Sequence, residues 1–274
     1  MTSPTTTDAL TATEATAYLR RIGAAAPESP TLAALASLHR AHLLAVPFES
    51  LDISLGRPIR LDRASLLAKV VGARRGGYCY ELNGLFALLL RRLGYAVALV
   101  SARVATADGG LTDEFDHLAL VVSGGRLEEP VLADVGFGEG LVDPLPLRDG
   151  FERRERGHLV GLLRRDDTWV SRERRDGEDW CDRFVFSTVP HPLSDFAARN
   201  EWQQTSPDSH FTRSRLASVL TPTGRVTLSG DRLITTTQGR REETALADED
   251  AVRAALADRF GIVLDRRTSA GPPL

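Results

Sequence analysis

Apolar residues in the first third of the chain recur at intervals of three and four. Leu32, Leu35, Leu38 and His42 mark one helix face, closed by Pro47, and a further helix is expected over 63–71. Leu82, Leu85, Phe86, Leu89, Leu90 and Leu93 repeat the pattern, with Gly94 as the stop. Between residues 96 and 186 the rhythm changes to short runs, among them AVALVSARV, HLALVV, HLVGLLRR and WCDRFVF, divided by Gly and Asp turns. Such spacing predicts a small barrel or curled antiparallel sheet. Beyond Pro190 the pattern predicts a helix near 195–203, strands near 215–220, 225–229 and 232–237, and a last helix near 248–260. The tail DRRTSAGPPL, 265–274, reads as disordered. The expected class is α+β in three domains: helical over 1–94, a β-barrel over 95–190, and mixed α/β over 191–274.

The 274 residues are 42% hydrophobic, enough for a substantial core. Charge narrows the function: 34 basic and 37 acidic residues are intermixed, giving a net charge of -3 and no basic stripe to follow a phosphate backbone, so no nucleic-acid partner is expected. The N-terminal stretch lacks a basic segment followed by an apolar one, and no run approaches the ~20 apolar residues of a membrane span. No membrane partner is expected, and the expected location is cytoplasmic. The two cysteines, Cys79 and Cys181, make no disulfide framework and show no zinc spacing, so no metal is expected. Cys181, beside Trp180 in an expected strand, reads as structural, and His39 and His42 as residues of a helix surface.

Cys79 stands apart. It falls at the start of the best-defined helix, where free N–H groups and the macrodipole favour an anion. Gly76 and Gly77 permit a sharp turn and bring main-chain N–H groups near enough to serve as an oxyanion hole. A lone cysteine is more often a small core residue, so the reading depends on partners. FDHLALVVSGGRLEEPVLADVGFG reads as a hairpin turning at Gly124 and Gly125, which sets position 132 opposite His117 and Asp134 two residues further on the same face. Asp134 orienting His117, and His117 taking the Cys79 proton, would make a catalytic triad.

The motifs carry a resemblance. RGGYCYELN (75–83), DHLALVV, DVGFG (134–138), VPFESLDISLGRPIRLD and TSPDSHF (205–211) arrive in the order seen in the arylamine N-acetyltransferases, which the chain resembles over residues 39–211. The resemblance implies a helical bundle, a β-barrel and a C-terminal α/β lid around a cysteine-protease-like core. It implies ping-pong transfer from acetyl-CoA, by way of a Cys79 thioester, to aromatic amines, hydrazines or hydroxylamines. It also implies that Arg75 braces the nucleophile loop, that Phe48, Val104 and Phe137 meet the acceptor, and that Gly136, Phe137 and Phe211 meet the cofactor. Departures stand beside it: Ser50 replaces the family's usual Asn, and Asp113, Glu114 and Asp116 precede the histidine, either opposing CoA phosphates or facing solvent. Three rivals remain at this stage: an amide synthase of the same family closing a polyketide macrolactam, a thiol hydrolase or transglutaminase-like enzyme, and a non-catalytic binding protein.

Overall fold

The structure, a computed structural model, describes residues 9–264, so the expected disordered tail at 265–274 lies outside the described residues. Among the described residues five α-helices precede the first long strand, one of them the short Leu51–Ser54. Ala12–Ile22 opens on Thr11, whose side chain and that of Glu14 cap the helix reciprocally, and Leu32–Ala45 opens on Thr31. Arg63–Leu67 is capped by Asp62 and runs into a π-helical turn, Ala68–Gly72. Cys79–Arg92 is the most buried of them, and the turn after it passes through Gly94 at φ 94°. Its apolar face, Leu82, Leu85, Phe86 and Leu89, packs with Tyr18, Leu35 and Leu38 in one core cluster. Full burial of each such side chain contributes roughly 1.5–3 kcal/mol.

The expected surface pair His39 and His42 is overturned: both are fully buried. With Leu35 and Leu38 they occupy the inner stripe of their helix at the i, i+3, i+4, i+7 positions, against Phe86. Tyr18 Oη lies 2.7 Å from His42 Nδ1, one of the hydrogen bonds that make burial of these polar rings tolerable.

An antiparallel eight-stranded sheet follows, in the order Leu145–Pro146, Val131–Ala133, His117–Ser123, Ala96–Val104, Cys181–Phe186, Thr168–Arg175, His158–Arg165, Glu152–Glu155. The sheet curls until its two edges meet through side chains: Arg153 donates to the Pro144 carbonyl at 3.2 Å, and Glu155 accepts the Val142 N–H at 2.9 Å. The expected hairpin register changes as well. Leu132 faces Val121, and not His117, because residues 124–130 loop over Pro30, with the Arg126 N–H on the Pro30 carbonyl at 2.9 Å, before the chain rejoins the sheet. The shift from 117 to 121 is an even number, so alternation survives and Asp134 keeps its face.

A five-stranded antiparallel sheet completes the fold, in the order Phe48–Glu49, Leu216–Thr221, Gly224–Ser229, Arg232–Thr237, Arg240–Ala245. The helix Glu249–Phe260 covers it through Val252, Leu256 and Phe260. Its first strand belongs to the helical part of the sequence and pairs Phe48 with Ser218, tying the segment before Cys79 to the C-terminal sheet. Among the described residues no helix is long and apolar enough to cross a membrane.

Candidate active site

The chain enters the Cys79 helix through a crowded turn. A Cβ on Gly76 would stand 1.9 Å from the Pro47 carbonyl oxygen, and one on Gly77 2.7 Å from Glu81 Oε2, so only glycine fits either position. Two main-chain N–H groups considered for an oxyanion hole are already engaged: Gly77 donates to Pro47 at 3.4 Å, and Tyr78 to Glu81 Oε2 at 3.1 Å. The glycines there serve close packing. Under the turn, buried Arg75 donates to Glu49 Oε1 at 2.9 Å and to Asp52 Oδ1 at 3.1 Å. Lys69 bridges Asp52 and Glu81, each at 2.8 Å.

Cys79 is the first residue of its helix and is 5% exposed. Its side chain hydrogen-bonds His117, the first residue of the strand His117–Ser123. His117 Nε2 lies 2.8 Å from Asp134 Oδ2, which leaves Nδ1 for the thiol. Asp134 Oδ1 accepts from Asn83 Nδ2 at 2.8 Å and from the Gly136 N–H at 2.9 Å. Burial works against a charged imidazole, but the charge and hydrogen bond of Asp134, with help from Cys79, outweigh it and lift His117 to about 10. Burial likewise pushes the Asp134 carboxyl up; His117, Asn83 and the Gly136 N–H prevail and hold it below the usual carboxylate range. The three side chains thus form one buried hydrogen-bonded chain.

Asn83 is a component that sequence reasoning left without a role. One turn beyond Cys79, it also donates to the Leu118 carbonyl at 2.6 Å and accepts the Val135 N–H at 2.9 Å, joining helix, strand and the Asp134 turn. Its signal was a polar residue on an otherwise apolar helix face. Gly136 has a steric reason of its own, since a Cβ there would stand 2.8 Å from Cys79 Cα.

Cys79 and His117 open onto a cleft of about 670 Å³. Phe48, Val104, Gly136, Phe137 and Phe211 all line it, so the structure brings every expected contact residue to one cavity. Phe137 packs edge-on to His117 with centroids 5.0 Å apart, and Phe48 and Phe211 stand 6.2 Å apart. Arg199 and Trp202, unforeseen from the sequence, complete one wall, with the guanidinium 3.8 Å above the indole. Of the acids before His117, Asp113 and Glu114 are exposed, as the solvent-facing expectation had it, while Asp116 lines the cleft but is paired. Arg199 pairs with Asp116 at 2.6 Å and Asp113 at 3.1 Å, Gln203 also donates to Asp116, and Glu114 accepts from Ser101 at 2.7 Å. Ser50 Oγ is buried without a hydrogen-bond partner among the described residues, whereas Cys181, expected as structural, is exposed at a strand end.

A cysteine at a helix start, hydrogen-bonded to an imidazole that a buried carboxylate holds, is the constellation of thiol-dependent acyl-transfer enzymes. The family model described as N-acetyltransferase matches residues 31–269. An arylamine N-acetyltransferase of Mycolicibacterium smegmatis is 35% identical over 90% of this chain and 91% of its own length. An arylamine N-acetyltransferase / N-hydroxyarylamine O-acetyltransferase of Salmonella typhimurium is 34% identical over 90% and 88%. Among solved structures, the Mycobacterium marinum arylamine N-acetyltransferase in complex with CoA superposes with a TM-score of 0.85 at 35% identity, covering 92% of this chain and 96% of that one. The chain belongs to the arylamine N-acetyltransferase family.

Proposed function

We propose that this protein transfers the acetyl group of acetyl-CoA to aromatic amines, hydrazines or hydroxylamines by a ping-pong route through a thioester on Cys79. The observation that carries the reading is the buried Cys79–His117–Asp134 chain at the wall of an aromatic-lined cleft. The names of the relatives, one of them solved with CoA, agree with it. In the first half-reaction Cys79 Sγ bonds to the acetyl carbon as the carbon–sulfur bond to CoA breaks, and the proton held by His117 passes to the departing sulfur. In the second, the amine nitrogen attacks the thioester, His117 takes its proton, and Cys79 leaves as thiolate. Asp134 keeps His117 oriented and supports its charge throughout.

In the same reading Arg75 braces the nucleophile turn through Glu49 and Asp52. Phe48, Val104 and Phe137 hold the flat ring of the acceptor, while Gly136, Phe137 and Phe211 meet the cofactor. His210 and Arg213, exposed on the cleft lining near Phe211, suit a large anionic co-substrate entering there. The helical domain (1–94), the barrel domain (95–190) and the lid (191–274) then act as nucleophile carrier, base carrier and cover of a cysteine-protease-like core, in a cytoplasmic enzyme. Steady-state kinetics test the scheme: parallel double-reciprocal lines are expected when acetyl-CoA and an arylhydrazine are varied together. Intersecting lines contradict it, and turnover of a bulky acyl thioester but not of acetyl-CoA makes the protein an amide synthase instead.

A further inference from the structure

Asp134 lies one residue past the last ladder pair of its strand, Leu120 with Ala133, so no neighbouring strand answers its main-chain N–H. His39 does. Its Nε2 accepts that N–H at 3.1 Å, and its Nδ1 lies 2.9 Å from the Val142 carbonyl oxygen. A carbonyl oxygen only accepts and an amide N–H only donates, so Nδ1 carries the proton and Nε2 is bare. The two partners fix both the charge and the tautomer of the ring.

We infer that neutral His39 is a positioning residue for the reaction, pinning the main chain of Asp134 from the helix Leu32–Ala45 so that the carboxylate meets His117; the inference rests on the proposed role of Asp134. The carboxylate oxygens of Asp134 are held from other directions, Oδ1 by Asn83 and the Gly136 N–H, Oδ2 by His117. His39 therefore supplies the contact from the helical side. A shift of ~1 Å at a reacting group costs on the order of 100-fold in rate. Protonation of His39 would set a donor against a donor at the Asp134 N–H. Burial disfavours that proton and outweighs the Val142 carbonyl and the charges of Asp134, Glu155 and Asp143, which favour it. Asp143 is itself paired with Arg40, Glu155 with Arg153, and the neighbouring His42 is bonded to Tyr18.

The test uses three variants of the full chain, with the rate of Cys79 alkylation by iodoacetamide followed against pH and urea stability measured in parallel. In His39→Gln the amide oxygen reaches the place of Nε2 and accepts the Asp134 N–H; in His39→Asn the shorter amide serves only Val142; His39→Leu serves neither. The expected result is alkylation within about threefold of wild type in H39Q, and a loss of about tenfold or more in H39N and H39L. H39Q should also lack the part of the wild-type acid limb that reflects His39 protonation. Should H39L fail to fold, the H39N and H39Q comparison decides. Equal profiles in H39Q and H39N, or stability losses with unchanged alkylation, overturn the inference. Asp134→Asn separates the two readings: if it is slow while H39N is unchanged, only the His39 inference falls, whereas a wild-type profile in D134N removes the role of Asp134 and the inference with it.

Discussion

Asn83 is fully buried and spends its amide on Leu118, Asp134 and Val135. Asn83→Leu removes those hydrogen bonds and leaves buried groups unsatisfied, so a loss of about 2–4 kcal/mol is expected in urea unfolding, with slower Cys79 alkylation. His117 gives a pH signature. Its folded pKa of about 10 lies above the ordinary value of ~6.5, so its pairing with Asp134 stabilises the fold fully below pH ~6.5 and loses that effect as pH rises through about 10. The stability gap between wild type and His117→Gln should therefore narrow over that window. Unfolding curves at several pH values check it, and a gap that widens toward alkaline pH contradicts the assignment.

The turn before Cys79 depends on ion pairs between elements: Arg75 with Glu49 of the edge strand and Asp52 of the short helix Leu51–Ser54. Arg75→Gln strips buried Glu49 of its cation, while Asp52 keeps Lys69 at 2.8 Å; breaking such a buried pair typically costs about 3–5 kcal/mol. Equilibrium unfolding should show that loss, with acylation falling as the turn loosens. Several elements were legible because their patterns are local. The helix Cys79–Arg92, the strand His158–Arg165 and the strand Arg232–Thr237 each follow an apolar rhythm or clear turn signals. The strand Arg240–Ala245 was not, since every residue of this charged edge is exposed and no apolar alternation marks it. Register escaped for a different reason. The length of the loop over Pro30 is set by tertiary contact, but parity needs only alternation, and that preserved the juxtaposition of His117 with Asp134. His39 was misjudged because a buried histidine and a surface histidine look alike until its partners, Val142 and Asp134, are brought together from far along the chain.

Over the whole molecule, the cleft lies where the helical segment, the eight-stranded sheet and the C-terminal segment meet, with Cys79, His117 and Phe211 contributed by the three in turn. The proposed acyl-enzyme would persist only where water is poorly placed, and the cleft that would hold it is lined by Phe48, Phe137 and Phe211. Anilines and arylhydrazines are largely unprotonated at neutral pH and fit such walls, whereas lysine, at pKa ~10.4, is mostly protonated. Amine-dependent CoA release should accordingly be far faster with arylhydrazines than with lysine or water. The thioester itself is the decisive species. Purified protein incubated with acetyl-CoA and no amine, then analysed by intact and peptide mass spectrometry, should carry a single acetyl group on Cys79 that an arylhydrazine removes and that Cys79→Ala never acquires. A folded wild-type protein that releases CoA with no acetyl group on Cys79, or a Cys79→Ala variant that still acetylates the amine, contradicts the mechanism.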